Sequence, residues 1–461
     1  MTLPVQFSLP RLCLLLIPAV LGASLVACST YRSQPLQAPD VEAVLDDPAA
    51  GAVVPKAVAL RHALISPVTL DFSAPMGLDA ISVLAVVTNP DLAALRLQQN
   101  VADAQLFASG LFPDPQLSVG IDRVLAPTEA GLVTGLAAGL SLDVLGTLVT
   151  RGADREVARR ASGQLRLDVA WAEWNTAGYA RLLASRLPYL AQIDALAEEA
   201  SVAATQLLTG VQDAAARGDL KGDELQAQRA TGLDTTLRAA ETRKALQSTR
   251  LELNRVLGLK PDTPLTLAAP EARAVPVRPA TAELFAAARR QRLDLQALAE
   301  GYAGQEAGLK RAVLGQYPRV GFTLNRNRDT SALHSWGPAV NLDLPLWNRN
   351  RGEIAQAAAS RDLLRAEFAA RLHQTRADIA ALVAALDTDE HSLVPARAEA
   401  AALSQLAAAY AAAAARGDLS RSAVEAAHLA AIDKQITVLG LEQSCTEQRI
   451  ALALLTGDRF P

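Results

Sequence analysis

Side chains able to do covalent or acid–base chemistry are sparse in this chain and poorly spaced for it. Its five histidines, His62, His334, His373, His391 and His428, show no metal-ligand spacing and no HExxH pattern, in which two histidines one helical turn apart hold a zinc ion. No Gly-x-Ser-x-Gly turn offers a nucleophilic serine, and no glycine-rich loop could cradle a phosphate. Carboxylates and guanidiniums are many, but they fall at helical spacings that solvated i,i+4 pairs explain. The formal net charge of -4, without a basic run interleaved by aromatics, gives no general attraction to nucleic acid. The chain is therefore expected to be no enzyme: catalytic residues none, metal ligands none, cofactors none.

One cysteine does have a chemical setting. Arg11 precedes an apolar run from Leu12 to Ala27. That run is shorter than the roughly 20 residues a bilayer-spanning helix needs, and it suits the core of a signal peptide. It ends in Leu25-Val26-Ala27-Cys28, followed by polar Ser29-Thr30. This resembles the bacterial lipobox, which implies cleavage after residue 27 and acylation of Cys28. Several acyl chains on one residue anchor stably where a single chain is marginal. Ser29 after the cysteine, rather than Asp, is similar to lipoproteins sent to the outer membrane. Cys13 leaves with the signal peptide, so Cys445 is alone in the mature chain and reads as a small buried hydrophobe.

The elements are organised by an internal tandem duplication. Asn89-Pro90-Asp91-Leu92-Ala93-Ala94-Leu95 matches Arg292-Leu293-Asp294-Leu295-Gln296-Ala297-Leu298, and Pro115-Gln116-Leu117 matches Pro318-Arg319-Val320. Leu142-Asp143 pairs with Leu342-Asp343, Arg151-Gly152 with Arg351-Gly352, and Gly258 with Gly457. Arg217-Gly218-Asp219-Leu220 recurs as Arg416-Gly417-Asp418-Leu419, all in order and about 200 residues apart. Each copy reads helix, strand, strand, long helix, turn, helix. Leu78–Gly110 is expected as one helix, followed by strands near 115–124 and 136–145. Strands near 318–326 and 337–346 repeat the hairpin, with residues 326–336 as its loop.

The long helices span Thr150 to Ala216 and Gly352 to Arg416, with Pro188 expected to kink the first. At the Arg-Gly-Asp-Leu turns, Gly suits a left-handed helix end and Asp the N-cap of the helix that returns. The chain then divides into 1–27, a linker 28–77, a first repeat 78–260, a Pro-rich connector 261–280 and a second repeat 281–461. Half the residues are hydrophobic but only 4% are aromatic, so helices packed through Ala and Leu are favoured over a bulky core.

Lengths limit what such a chain can be. A helix of ~65 residues is roughly 95–100 Å long, and the helix before the strands plus the one after the turn add to nearly the same length. Two short helices stacked beside one long one fit each copy. The strands have one apolar and one polar face, at ~9–11 residues the size of a tilted membrane-spanning strand. The polar faces place Ser118, Asp122, Ser141, Asp143, Thr323, Asn325, Asn341 and Asp343 toward water. Four strands are too few for a closed barrel, and an open edge cannot face lipid. Several chains must close one barrel, and this reasoning alone does not choose between two and three.

The duplicated helix–hairpin–helix units and the lipobox look like the TolC-like outer membrane efflux family. So do the segments Leu111-Phe112-Pro113-Asp114-Pro115-Gln116-Leu117-Ser118 and Leu344-Pro345-Leu346-Trp347-Asn348-Arg349-Asn350-Arg351-Gly352. The resemblance runs from about Leu78 to Phe460. It implies a mainly α protein with transmembrane β: a homotrimer with a 12-stranded β-barrel in the outer membrane and a long α-helical barrel in the periplasm. It also implies passive conduction, a periplasmic adaptor that meets the two Arg-Gly-Asp-Leu turns, and an inner-membrane pump of the RND type. Candidate aperture acids beyond the turns are Asp223, Glu224 and Glu425, with Ala423 and Ala426 where further acids would be expected. Solvated helix-face charge is the competing reading of those acids. The Pro-Leu-Trp-Asn-Arg-Asn-Arg-Gly segment and the short C-terminus are similar to the heavy-metal branch. Two other classes stay open: a periplasmic adaptor has one helical hairpin and no amphipathic strand pair, and an envelope coiled-coil lipoprotein has no strands.

Overall fold

A computed structural model describes residues 30–123, 134–142, 144–219, 222–268, 279–329 and 333–458. The signal segment 1–27, Cys28, Asp143 and Leu220 lie outside the described residues. The described residues 30–47 belong to one unit and carry the short helix α1 (Ala38–Ala43). Everything else belongs to a second unit that begins at Pro48. This unit starts with α2 (Ala50–Val58), so the linker expected to be irregular holds short helices instead.

The first copy contains α3 (Leu78–Thr88), α4 (Pro90–Ser109), β1 (Gln116–Arg123), β2 (Thr134–Leu142), α5 (Val144–Ala216) and α6 (Gly222–Val256). The second repeats the order with α7 (Thr281–Gln291), α8 (Leu293–Leu314), β3 (Arg319–Arg328), β4 (His334–Asp343), α9 (Arg351–Ala415) and α10 (Arg421–Thr456). The helix expected as continuous from Leu78 is broken: α3 and α4 meet at an angle of 51°. Pro90 is the cause. It cannot donate to the ladder of a preceding helix, but its fixed φ suits the first position of a new one.

The break is also a joint. Asn89 accepts from the Leu92 backbone N–H at 3.0 Å, capping α4, while its Nδ2 donates to the Val256 carbonyl at 2.9 Å. Thr88 Oγ1 donates to the Leu257 carbonyl at 2.7 Å. One turn of chain thus satisfies both the start of α4 and the end of α6, and the two helices abut. In the second copy Arg292 holds the equivalent place. Its Nη1 donates to the Leu455 carbonyl at 3.3 Å, and its Nε and Nη2 grip Asp294 at 3.0 and 2.7 Å. The guanidinium also lies 4.8 Å from the Trp171 ring centre, a cation–π contact in a buried setting.

Pro188 does not interrupt α5, nor Pro395 α9. Each removes one ladder hydrogen bond from a very long helix, a local cost that packing on several neighbours offsets. Among the described residues α5 packs extensively on α3, α4 and α6 of its own copy and on α8 and α10 of the other, whereas α9 packs chiefly on α7, α8 and α10. The core sits at the joint, where Ile81, Leu84 and Val86 meet Trp174, Leu183 and Leu253. Trp174 is fully buried and donates its indole N–H to the Leu454 carbonyl at 3.2 Å, tying the first long helix to the end of the chain.

Two glycines with left-handed backbones separate conformational need from close approach. Gly218 has φ +83° with open space where a Cβ would stand. Gly258 has φ +62°, and its Cβ would lie 2.7 Å from the Thr88 carbonyl oxygen. Gly218→Ala should therefore cost about 1 kcal/mol, the left-handed penalty alone. Gly258→Ala should cost clearly more and lower the thermal midpoint further, read by the loss of helical circular dichroism. Equal shifts for the two variants would refute the close-packed joint.

Candidate functional site

The four strands form one antiparallel sheet in the order β1-β2-β3-β4. Leu117 faces Leu140, Ile121 faces Leu136, Leu140 faces Leu324, and Phe322 faces Val340. Since neighbours in register share a face, one face collects the apolar residues of all four strands. The other carries Ser118, Gly139, Ser141, Thr323, Asn325 and Asn341. Asn341 donates to Thr323 Oγ1 at 2.9 Å, and Ser118 Oγ donates to the Gly139 carbonyl at 3.2 Å. Asp122 and Asp343 share this polar face through their pairing with Gly135 and Arg319.

The exposure of the two faces is inverted relative to a sheet in water. Leu117, Val119, Ile121 and Trp336 are 72%, 65%, 70% and 78% exposed, while Gly135 and Gly139 on the other face are buried. A Cβ on Gly139 would meet Asn325 Oδ1 and Ser118 Oγ at 2.8 Å each, so the polar face is crowded where the apolar face is open. Among the described residues β1 and β4 each pair on one side only. The strands also differ in extent from expectation: β3 and β4 run past residues 326 and 337 toward a short turn, so Arg326 and Arg328 are strand residues.

At the hairpin's other end the sheet is fixed to the helices. Arg151 of α5 stacks 3.8 Å from the centre of the Phe112 ring and donates to the Gly110 carbonyl. In the second copy Asn350, left-handed at φ 53°, donates to the Ala312 carbonyl at 2.7 Å.

The turns at the far ends of the long helices are geometric twins. Gly218 and Gly417 have φ +83° and +85°. Asp219 N donates to the Ala214 carbonyl and Gly218 N to that of Ala215, at 3.0 Å each. Asp418 N and Gly417 N do the same to Ala413 and Ala414, at 3.1 and 2.9 Å. These paired bonds define a Schellman helix end. Arg217 Nε lies 3.2 Å from Asp219 Oδ2, and Arg416 Nε 3.1 Å from Asp418 Oδ2. Both aspartates are thus held by arginine, and in the second copy Asp418 does not cap the returning helix. Ser420 caps α10, its Oγ accepting from Ala423 N at 3.3 Å. Leu419 is exposed beside it.

The candidate aperture acids divide. Asp223 and Glu224 are exposed in the first turn of α6, where negative charge complements the helix dipole. Glu425 is half-buried, and its Oε1 has no contact with water and no hydrogen-bond partner among the described residues. That departs from a solvated helix-face charge.

The histidines do not converge. His62 Nδ1 accepts from Leu64 N and Ile65 N at 3.0 and 3.1 Å, leaving Nε2 to donate to the Ala170 carbonyl at 2.8 Å. Among the described residues no group of three His, Cys, Asp or Glu could hold a metal ion. Cys445 is buried, and burial pushes its thiol pKa up, which favours the unreactive protonated form.

No protein-family model matches the chain, and no curated protein matches it in sequence. Solved structures do match. CusC superposes with a TM-score of 0.66 at 17% identity over 87% of this chain and 98% of its own. The outer-membrane channel OprN does so with 0.68 at 14% identity over 94% and 99%. The open state of the MtrE outer membrane channel of Neisseria gonorrhoeae gives 0.67 at 14% over 83% and 89%. This chain has the outer-membrane channel fold. No single described helix is long and apolar enough to cross a membrane.

The cap assignment is testable locally. Ser420→Ala should cost about 1 kcal/mol at the start of α10, raising amide exchange at Ala423 several-fold. Asp418→Ala removes an exposed ion pair and should change that exchange little. The opposite ranking would restore Asp418 as the cap.

Proposed function

We propose that this chain is the protomer of a homotrimeric outer-membrane channel, the passive exit duct of a tripartite efflux system. The observation that carries the reading is the two-faced sheet: large apolar side chains exposed on one face, small and polar ones on the other, crowded at its centre around Gly139. In water such a sheet would leave a large apolar patch uncovered, the signature of a surface meant for lipid or a partner. In a bilayer it is a barrel wall with a wet lumen.

Closure follows from the free edges. β1 of one copy and β4 of the next run antiparallel and complete a ring without a lipid-exposed edge. The helices support the same arrangement. Among the described residues α9 packs chiefly on helices of its own repeat, and exposed Leu363 and Val394 lie along it. At the opposite side of the helix array, α4 and α6 expose Leu97, Val101 and Leu233. Unlike faces meeting head to tail generate a ring when the rotation closes. Three is the number the TolC-like resemblance implies, giving twelve strands.

The duct itself is read as non-catalytic, with energy supplied by an RND-type inner-membrane pump through a periplasmic adaptor. The Schellman turns at Arg217–Asp219 and Arg416–Leu419 form the adaptor contact, with Leu220 completing the first. Cys28 carries the lipid that holds the chain to the outer membrane. The strand sheet weighs against both an adaptor and a coiled-coil envelope protein, neither of which would need it.

Extraction from outer membranes as a heat-modifiable, strand-containing trimer that conducts ions in planar bilayers is the expected outcome. A soluble, purely helical protein would sink the proposal. Replacing Gly218 and Gly417 together by Trp should abolish export while leaving trimers in the membrane. Unimpaired export would reject docking at the turns without touching the channel itself.

A further inference from the structure

The apolar face of the sheet changes character at its loop end. On β1 the outward series Leu117, Val119, Ile121 continues to Arg123, which pairs with Thr134. On β3 the series Val320, Phe322, Leu324 continues to Arg326 and Arg328, opposite Trp336 and His334 of β4. All three arginines are exposed. Among the described residues none of them forms an ion pair with a carboxylate. Asp122 belongs to the other face, and Asp329 is engaged at the turn, where its Oδ1 accepts from Leu333 N at 2.8 Å.

Guanidiniums two residues apart on one strand face stand about 7 Å from each other and repel. Such a cluster is favourable where an anion with several oxygens sits between its members, since each planar fork can take two oxygens at once. Its location narrows the anion. A cation on the lipid face is costly at mid-membrane and nearly free at the interface, so Arg326 and Arg328 mark the headgroup level. Trp336, adjoining them across the strand pair, is the residue type that settles at that same level. The apolar band runs directly into the cluster, so an occupant with its tail on the band places its headgroup on the arginines. The level lies at the hairpin tips, away from the helices, and so belongs to the outer leaflet.

We infer that Arg123, Arg326 and Arg328 form a lipid-facing site for a phosphorylated lipid headgroup of the outer leaflet. This rests on the channel reading given above. Each protomer would carry one site, and the ligand class is a lipid bearing clustered phosphates rather than a free anion.

The full-length oligomer, purified and delipidated in detergent, would be offered diphosphoryl lipid A or the same lipid stripped of its phosphates. Native mass spectrometry then counts the lipid retained. The wild type should retain the phosphorylated form at least tenfold better, and R123Q/R326Q/R328Q should erase that preference. R326K/R328K keeps the charges without the forks and should retain an intermediate preference, which separates lost charge from a misfolded wall. An unchanged preference in the triple Gln variant would overturn the site, as would complete displacement of the lipid by an equal concentration of inorganic phosphate. Failure of the wild type to insert into bilayers as a heat-modifiable oligomer would overturn the channel reading and this site together. Insertion with no phosphate preference would remove the site alone.

Discussion

Every backbone N–H and C=O that meets hydrocarbon must find a partner within protein, and four strands cannot arrange this alone. The outer edges of β1 and β4 are therefore the constraint from which the rest of the architecture follows. In the channel proposed above, pairing those edges between chains sets a ring. A ring of strands fixes the spacing of the helices that hang from them, because α4, α5, α8 and α9 each begin or end within a few residues of a strand. The helices must then close as well. The unequal packing of α5, contacted by both repeats, and α9, packed chiefly within its own repeat, is what a chain cut from such a ring looks like.

In the proposed ring the repeat is finer than the number of chains, because each chain carries two copies. Both copies solve one mechanical problem, in which two short helices must abut beside one long one without leaving helix ends unsatisfied. The solutions differ in chemistry. Asn89 uses one amide for two caps, which needs only hydrogen bonds at 2.9 and 3.0 Å. Arg292 brings a charge into a buried place and needs Asp294, the Leu455 carbonyl and the Trp171 ring to hold it. A buried ion pair of this kind adds little net stability but is strongly destabilising when half is removed. It also sits where repeat two meets α5 of repeat one. Burial, and after it the nearby Asp294, push the Asp168 carboxyl pKa up at that seam.

What the sequence disclosed, and what it hid, divide along physical lines. Period-two alternation at Leu117, Val119 and Ile121 is a direct image of a two-faced strand, and the face assignment follows from parity alone. Gly218 and Gly417 announced left-handed helix ends because few other residues tolerate that conformation. The break at Asn89 was legible in principle, since Asn before Pro is a helix-start signal; continuous apolar spacing through Leu92 and Leu95 outweighed it. Pro188 lies inside a helix that runs on past it, because a local penalty says nothing of the packing around it. Asp418 suits an N-cap by type, but Arg416 two residues earlier competes for the carboxylate, and Ser420 lies two residues nearer the helix. Arg326 stood at the expected boundary of strand and loop, and Arg328 fell in the expected loop, yet both lie in β3. On an inverted sheet, exposure and strand are not alternatives.

The two turns and the acids beyond them bear differently on symmetry. The turns agree in backbone angle, in both Schellman bonds and in the Arg–Asp pair, down to tenths of an ångström. A partner that reads them meets the same surface twice per chain, so its repeat around a ring would be twice the number of chains. The acids break that equivalence. The first copy offers Asp223 and Glu224 to water, whereas the second offers Glu425 with one oxygen already shut away among helices. Any function that depends on acid charge near the turns therefore distinguishes the repeats, while one that depends on backbone shape does not. Docking can be quasi-equivalent in this fold and charge-based narrowing cannot, because the duplication preserved the glycines and aspartates of the turn but not the carboxylates one helical turn beyond it.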